Sequence, residues 1–251
     1  MSTSRDHVTR RNVLTGALAS LGLQLIPGRA SAARKRRDFI HHALPKDPCI
    51  VVYPGNAYLS WGHPNMEKVV EKHRAQVINY NIDRHWISER SDLARDLRQH
   101  LEEASQVILV GYSMGACTAV DVVAEADLTE ELVKKLSLVL VAPAAKVRRP
   151  WSVFAPASRV WEDRWAHGAR YLQKARNERK GAWRRFFDRR IRLLYNHDDA
   201  LVSSQGFREF ASFLPSYHVS DCSGIRHLAW LNADEMHDAV LQLLSPRGDE
   251  P

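Results

Sequence analysis

Three groups of residues in this chain have the types and spacing for acyl-transfer chemistry: a serine framed by glycines, a pair of aspartates, and a histidine near the C terminus. The serine lies in Gly111-Tyr112-Ser113-Met114-Gly115, after the all-apolar run 107–110 and before a helix-like stretch of mostly small residues, 114–123. When a chain turns directly from strand into helix, the residue at the turn adopts a strained backbone and its side chain is lifted above the sheet edge. The residues two before and two after it then come too close to their neighbours to carry side chains. Glycine stands at both places, so Ser113 is the candidate nucleophile. The Met114 N–H, at the start of the following helix, is a candidate oxyanion donor.

A serine hydroxyl needs a base, and an imidazole needs a carboxylate to orient it. Asp198 and Asp199 end the apolar run 191–195 and its Asn196-His197 extension. Asp199 is favoured because Ala200, Leu201 and Val202 follow it and can pin the loop, with Asp198 as the competing choice. His227 lies one loop later, between a strand read over 217–221 and a terminal helix over 234–244, and is the candidate base. A second oxyanion donor is expected after the strand 49–53, where Pro54-Gly55-Asn56-Ala57 lets the backbone curl over the sheet tip, with the Asn56 or Ala57 N–H as the candidate and Asn56 taken first.

These loops require a sheet whose strand ends meet at one edge. The apolar runs 49–53, 107–110, 138–141 and 191–195 and the strands at 76–82 and 217–221 are separated by helix-like stretches. Among these are 66–75 and a helix entered at Ser88, with Leu93, Leu97 and Leu101 at four-residue spacing. Strands alternating with long helical connections predict right-handed crossovers and a mostly parallel sheet, here of about six strands, with at most one short extra strand at Phe39 and Ile40. Residues 144–190 differ in composition. They hold Trp151, Trp161, Trp165 and Trp183 and fourteen Lys or Arg against four Asp or Glu, a net +10. This stretch is expected to be an inserted helical cap, its tryptophans lining an acyl pocket together with Tyr112 and Trp230. Its arginines are expected to face water, an acidic substrate group or an anionic lipid surface.

The N terminus has a separate character. Arg10-Arg11 precedes an apolar stretch, 13–26, and Ala30-Ser31-Ala32 supplies a small-x-small cleavage pattern. These are the marks of a twin-arginine export signal over residues 1–32, and they place the mature protein in the periplasm or outside the cell. The stretch is too short and too rich in Thr, Gly, Ser and Gln for a permanent span. The full chain carries a formal charge of +7. Interleaved Arg and Trp is also found in nucleic-acid binders, but export and the serine motif argue against that reading. No Cys-x-x-Cys or His-x-x-x-His pattern points to a metal, and no motif calls for a cofactor. Cys49, Cys117 and Cys222 are an odd number in a disulfide-permissive compartment, so at least one stays free within a chain.

Taken together, the order Ser113, Asp199, His227, with twenty-eight residues from the carboxylate to the histidine, resembles the α/β-hydrolase superfamily over residues 49–244. The resemblance implies a three-layer α/β-hydrolase fold in residues 33–251, with a reduced mostly parallel sheet and the inserted cap at 144–190. It further implies that Ser113 attacks, that His227 serves as base and then acid, and that Asp199 orients the imidazole. The family often carries Gly-x-x-Asp-x-x-Val-Pro around the acid; here Asn196 replaces the glycine and Ser203 the proline. The expected activity is hydrolysis of an acyl bond, most simply a carboxylic ester, on a small or lipid-derived substrate. Amide or peptide cleavage, and a catalytically silent envelope-binding module, are the competing classes. The precursor would engage the export machinery, which by resemblance takes folded cargo. Sequencing the N terminus of protein recovered from the cell envelope is expected to begin at Ala33; Met1 retained on most of a cytoplasmic pool would remove the export reading.

Overall fold

Strands covered on both faces need apolar side chains on both faces, and the runs identified above meet that condition. The computed structural model describes residues 39–40, 48–55, 75–80, 90–148, 158–179, 181–227, 229 and 234–244. The expected leader 1–32, Asn56, Trp151 and Trp230 lie outside the described residues, as do the expected helix over 66–74 and Ser88. The strands are β1 (Phe39–Ile40), β2 (Cys49–Tyr53), β3 (Gln76–Asn79), β4 (Val107–Tyr112), β5 (Leu136–Val141), β6 (Ile191–Tyr195) and β7 (Val219–Asp221). They form one sheet in the order β1-β3-β2-β4-β5-β6-β7. Only the β1–β3 pair is antiparallel; every other pair is parallel. The described sheet therefore has seven strands, the seventh being the two-residue β1 at the short extra strand expected around Phe39 and Ile40.

The helices are α1 (Arg90–Glu103), α2 (Met114–Glu125), α3 (Glu130–Lys135), α4 (Ser158–Glu178), α5 (Ala182–Arg189), α6 (Arg208–Ser212) and α7 (Asp234–Leu244). Leu93, Leu97 and Leu101 form the buried face of α1, as their spacing predicts. Two short helices escaped the pattern reading. The six residues of α3 are held by Thr129, which accepts from the Leu132 N–H, with Glu130 and Glu131 in the first turn and Lys134 and Lys135 in the last. The other, α5, buries Trp183, Phe186 and Phe187. α1 packs on α2, α2 on α4 and α4 on α5, while α7 packs against β5 and β6.

The β5-to-β6 connection corrects the expected position of its tryptophans. It is a helical insertion, but α4 runs along α2 within the helical layer. Trp161, Trp165, Ala169, Leu172 and Ala175 recur at helical spacing and form its buried stripe. Trp165 packs edge-on against Phe210 with ring centroids 5.3 Å apart, and Trp183 meets Tyr171 and Phe186, each at 5.9 Å. The rings of Trp165 and Trp183 are thus spent on core packing, and Trp161 is likewise buried. The physical reason is that α4's one apolar stripe is needed to hold it against α2.

The approach of α4 to α2 is close enough to require a glycine. A Cβ on Gly168 would lie 2.4 Å from the Val120 carbonyl carbon and 2.5 Å from its oxygen. Beside this contact the buried Asp121 of α2 reaches three nitrogen-bearing side chains: His167 Nδ1 at 2.7 Å, Arg90 Nε at 3.1 Å and Arg164 Nε at 3.8 Å. The carboxylate thereby ties α1, α2 and α4 together. Gly168→Ala is expected to push the two helices apart at a cost of about 1–3 kcal/mol. In a domain of this size each kcal/mol lowers Tm by about 2–4 °C; an unchanged thermal midpoint would show that the contact yields freely.

Candidate active site

The order of the sheet reverses at β2. The chain steps from β2 to β3 on one side, then returns by α1 to β4 on the other, so the carboxyl ends of β2 and β4 open side by side. Such a crevice is where open parallel sheets accept ligands. Ser113 follows β4 directly and has φ 53° and ψ −113°, a conformation that non-glycine residues rarely adopt. Its neighbours explain how the turn closes. A Cβ on Gly115 would lie 1.9 Å from the Tyr53 carbonyl oxygen, and one on Gly111 would lie 2.6 Å from the Ala116 Cα. The turn is fastened to β5 and the segment after it: Ser113 N–H donates to the Val141 carbonyl at 2.8 Å, and Ala144 N–H donates to the Ser113 carbonyl at 3.1 Å.

Although Ser113 stands at the N-cap of α2, its side chain makes no capping hydrogen bond. Its Oγ lies 2.9 Å from Nε2 of His227, and Nδ1 of His227 lies 2.7 Å from Oδ2 of Asp199. All three side chains are buried. The other carboxylate oxygen, Oδ1, accepts the N–H groups of Leu201 at 2.8 Å and Val202 at 3.0 Å. These are the apolar residues whose proximity favoured Asp199 in the sequence. Burial alone would push the Asp199 carboxyl up. The hydrogen bond and charge of His227, with the two amides, outweigh burial and hold it below its ordinary value. Asp198 is exposed, and its carboxylate lies 3.1 Å from His197 Nε2. Of the two candidates, Asp199 reaches the histidine.

Met114, expected to supply an oxyanion donor, is the first residue of α2 and is buried; the first turn of that helix carries no acidic residue to offset its positive end. Gly55 lies at the tip of β2, where a Cβ would sit 2.9 Å from the Ser113 Cβ. The segment leading to Asn56 therefore passes next to the serine. Tyr112 corrects an expectation. Its ring is buried and its hydroxyl donates to the backbone carbonyl of His227, so it is occupied by the histidine loop rather than turned toward a substrate. Sequence reasoning also missed the part played by Asn196. Its Oδ1 accepts the Asp198 N–H at 2.9 Å and its Nδ2 donates to the Ile225 carbonyl at 2.9 Å. The available signal was its departure from the family's glycine. Ser203, in place of the family's proline, donates its N–H to the Lys146 carbonyl at 2.8 Å, a bond proline could not make.

A pocket of about 630 Å³ has Ala145, Lys146, Val147, Arg148, Glu162, Ser203 and Gly206 on its walls. Its wall residue Val147 pairs with Val202, and the preceding Ala144 donates its N–H to the Ser113 carbonyl. Cys117, one helical turn after the serine, is buried with Sγ 3.8 Å from the Ser113 carbonyl, and burial pushes its thiol up. No disulfide joins Cys49, Cys117 and Cys222 among the described residues. Among the described residues, no cluster of His, Cys, Asp or Glu has the arrangement of a metal site, and no helix is long and apolar enough to cross a membrane.

Comparison with known proteins adds the following. The profile of a family described as "Alpha/beta hydrolase family" matches residues 22–248. Among solved structures, a monoacylglycerol lipase from Paleococcus ferrophilus aligns at 13% identity over 83% of this chain and 98% of that chain, with a TM-score of 0.52. A soluble variant of monoglyceride lipase from Saccharomyces cerevisiae, bound to a substrate analogue, aligns at 12% identity over 80% of this chain and 85% of that chain, with a TM-score of 0.49. At such identities the likeness concerns the fold. No curated protein matches the sequence.

If Ser113, His227 and Asp199 work as a unit, Ser113→Ala and His227→Ala should each lower ester turnover nearly as much as the double variant does. Asp199→Asn should cost on the order of a thousandfold or more in kcat, whereas Asp198→Asn should be mild. A collapse with Asp198 alone would move the acid role one residue back.

The lowered Asp199 carboxyl also carries a stability signature. Its contribution to stability is complete above the ordinary carboxylate range and is lost as pH falls through the native value. The stability gap between wild type and Asp199→Asn, measured by denaturant titration, should therefore shrink on strong acidification.

Proposed function

The chain belongs to the alpha/beta hydrolase family, and on that premise we propose that it is a serine hydrolase cleaving carboxylic esters through an acyl-enzyme at Ser113. The observation that carries this reading is the unbroken chain of contacts from Ser113 Oγ through the His227 ring to Asp199, with distances of 2.9 and 2.7 Å, on a strained turn whose geometry has no structural use of its own.

Ser113 Oγ attacks the ester carbonyl as His227 Nε2 takes its proton. Asp199, held as a carboxylate by two backbone amides, orients the ring and stabilises the imidazolium. Negative charge developing on the carbonyl oxygen meets the Met114 N–H at the positive end of α2, and the Asn56 N–H is the proposed second donor. As the tetrahedral adduct collapses, the imidazolium returns its proton to the leaving alcohol. A water activated by the same imidazole then releases the acid and regenerates Ser113. The reading favours an ester over an amide because an alcohol is the better leaving group, whereas an amine departs only once His227 has protonated it.

The pocket bordered by Lys146, Arg148 and Glu162 is the proposed entry for one arm of the substrate. With the basic outer faces of α4 and α5, it suits a substrate or surface bearing negative charge. Peripheral contact with an anionic membrane and export by the twin-arginine route, with cleavage after Ala32 and a periplasmic or secreted destination, belong to the same proposal. They are supported by the net +10 of residues 144–190 and by the N-terminal sequence.

The test is labelling of the protein with a fluorophosphonate, mass spectrometry of the modified peptide, and turnover of a short p-nitrophenyl ester beside its matched anilide. Modification of Ser113, with the ester cleaved well and the anilide poorly, is the expected result. An unlabelled folded protein, or full esterase activity in Ser113→Ala, would remove the proposal.

A further inference from the structure

His227 is a buried ring on a loop that is otherwise largely open to solvent. Ser223, Gly224, Arg226 and Ala229 are exposed, whereas His227 is 7% exposed. Among the described residues of this loop, Cys222 N–H donates to the Tyr195 carbonyl at 2.7 Å, Ile225 N–H to the Cys222 carbonyl at 3.2 Å, and Ala229 N–H to the Arg226 carbonyl at 2.7 Å. None of them fixes the position of the imidazole relative to both Ser113 and Asp199. Such a ring must satisfy two short contacts at once, and a misplacement of about 1 Å at this stage costs on the order of a hundredfold in rate.

Two side chains from the other two loops grip this one by its carbonyls. Tyr112, the residue before the nucleophile, donates its hydroxyl to the His227 carbonyl, and its ring lies 5.3 Å from the imidazole at an interplanar angle of 37°. Asn196, three residues before the acid, donates from Nδ2 to the Ile225 carbonyl at 2.9 Å. The same Asn196 shapes the acid loop, because its Oδ1 accepts the Asp198 N–H at 2.9 Å and its backbone carbonyl accepts the Asp199 N–H at 3.1 Å. Both residues are buried, and the Tyr112 bond forms away from competing water.

We propose that Tyr112 and Asn196 are positioning residues for His227, each joining its own loop to the histidine loop so that the imidazole meets Ser113 and Asp199 in register. The inference rests on the reading of Ser113, Asp199 and His227 as a catalytic unit, but it concerns geometry that can be read without turnover. Tyr112→Phe deletes one oxygen and keeps the ring, and Asn196→Ala deletes both side-chain bonds.

Each variant is expected to lower kcat for a short p-nitrophenyl ester by about 10- to 100-fold with KM changed less than about twofold, and to slow fluorophosphonate labelling of Ser113 by the same factor. A loosened Asp199 contact stabilises the imidazolium less, so the acid limb of the kcat/KM profile should move to lower pH. Independently of activity, the downfield proton resonance of His227 Nδ1–H, assigned by its loss in His227→Ala, should broaden or exchange faster in both variants. A raised KM with kcat unchanged, or an unmoved resonance with unchanged kcat in Tyr112→Phe, would overturn the proposal. If Asn196→Ala does not fold, Tyr112→Phe carries the test alone. Wild-type protein that neither labels nor turns over would sink the hydrolase reading, while the resonance would still decide whether Tyr112 and Asn196 hold the ring.

Discussion

The turn at Ser113 depends on backbone passing against backbone with no side chain between. The Tyr53 carbonyl lies where a Cβ of residue 115 would be, and the chain at Ala116 lies where a Cβ of residue 111 would be. Such a turn is compact only because two glycines leave that space empty, and the serine between them is held at a positive φ that costs about 1–3 kcal/mol. The strain persists because β4 is paired on both sides, by β2 and β5, and because the turn itself is bonded to Val141 and Ala144. A hydroxyl that does not cap its own helix is what this arrangement leaves at the sheet edge.

Two buried carboxylates illustrate how the surroundings decide what burial does. Asp121 and Asp199 are both desolvated, which opposes ionisation. At Asp121 burial wins: His167, Arg90 and Arg164 lower the carboxyl but do not cancel the desolvation, and it remains above its ordinary value. At Asp199 the hydrogen bond and charge of His227 combine with two amides aimed at one oxygen, and the balance reverses. The first group clasps three helices and the second holds the His227 ring. One residue type thus serves packing in one layer and the contacts of Ser113 and His227 at the sheet edge.

The basic, tryptophan-rich insertion follows from the same packing demand. A helix crossing from β5 to β6 has to present one apolar stripe to α2. Trp161, Trp165, Leu172 and Ala175 supply it, while the charged residues other than the buried Arg164 are left on the outward side. Arg179 lies 5.5 Å from the Trp183 ring centroid and 5.7 Å from that of Tyr171, so part of the positive charge rests on aromatic faces.

From sequence alone, the elbow, the parallel strands and the identities of Ser113 and His227 as candidates were legible, because each follows from local rules. These are glycines two residues to either side of a serine, apolar runs too short to be helices, and a histidine in a loop at the same sheet edge. The bounds of β6 and α7 follow from periodicity in the same way. Which of Asp199 and Asp198 contacts His227, the burial of Trp165 and Trp183, and the hydrogen bonds of Tyr112 and Asn196 were decided by tertiary structure. Adjacent aspartates have the same local preferences and differ only in which one faces a ring twenty-eight positions later. A tryptophan stripe reads alike whether it lines a groove or meets a neighbouring helix. A tyrosine bonding a carbonyl 115 residues away leaves no periodic mark, since periodicity records which face of an element is buried and not which partner buries it.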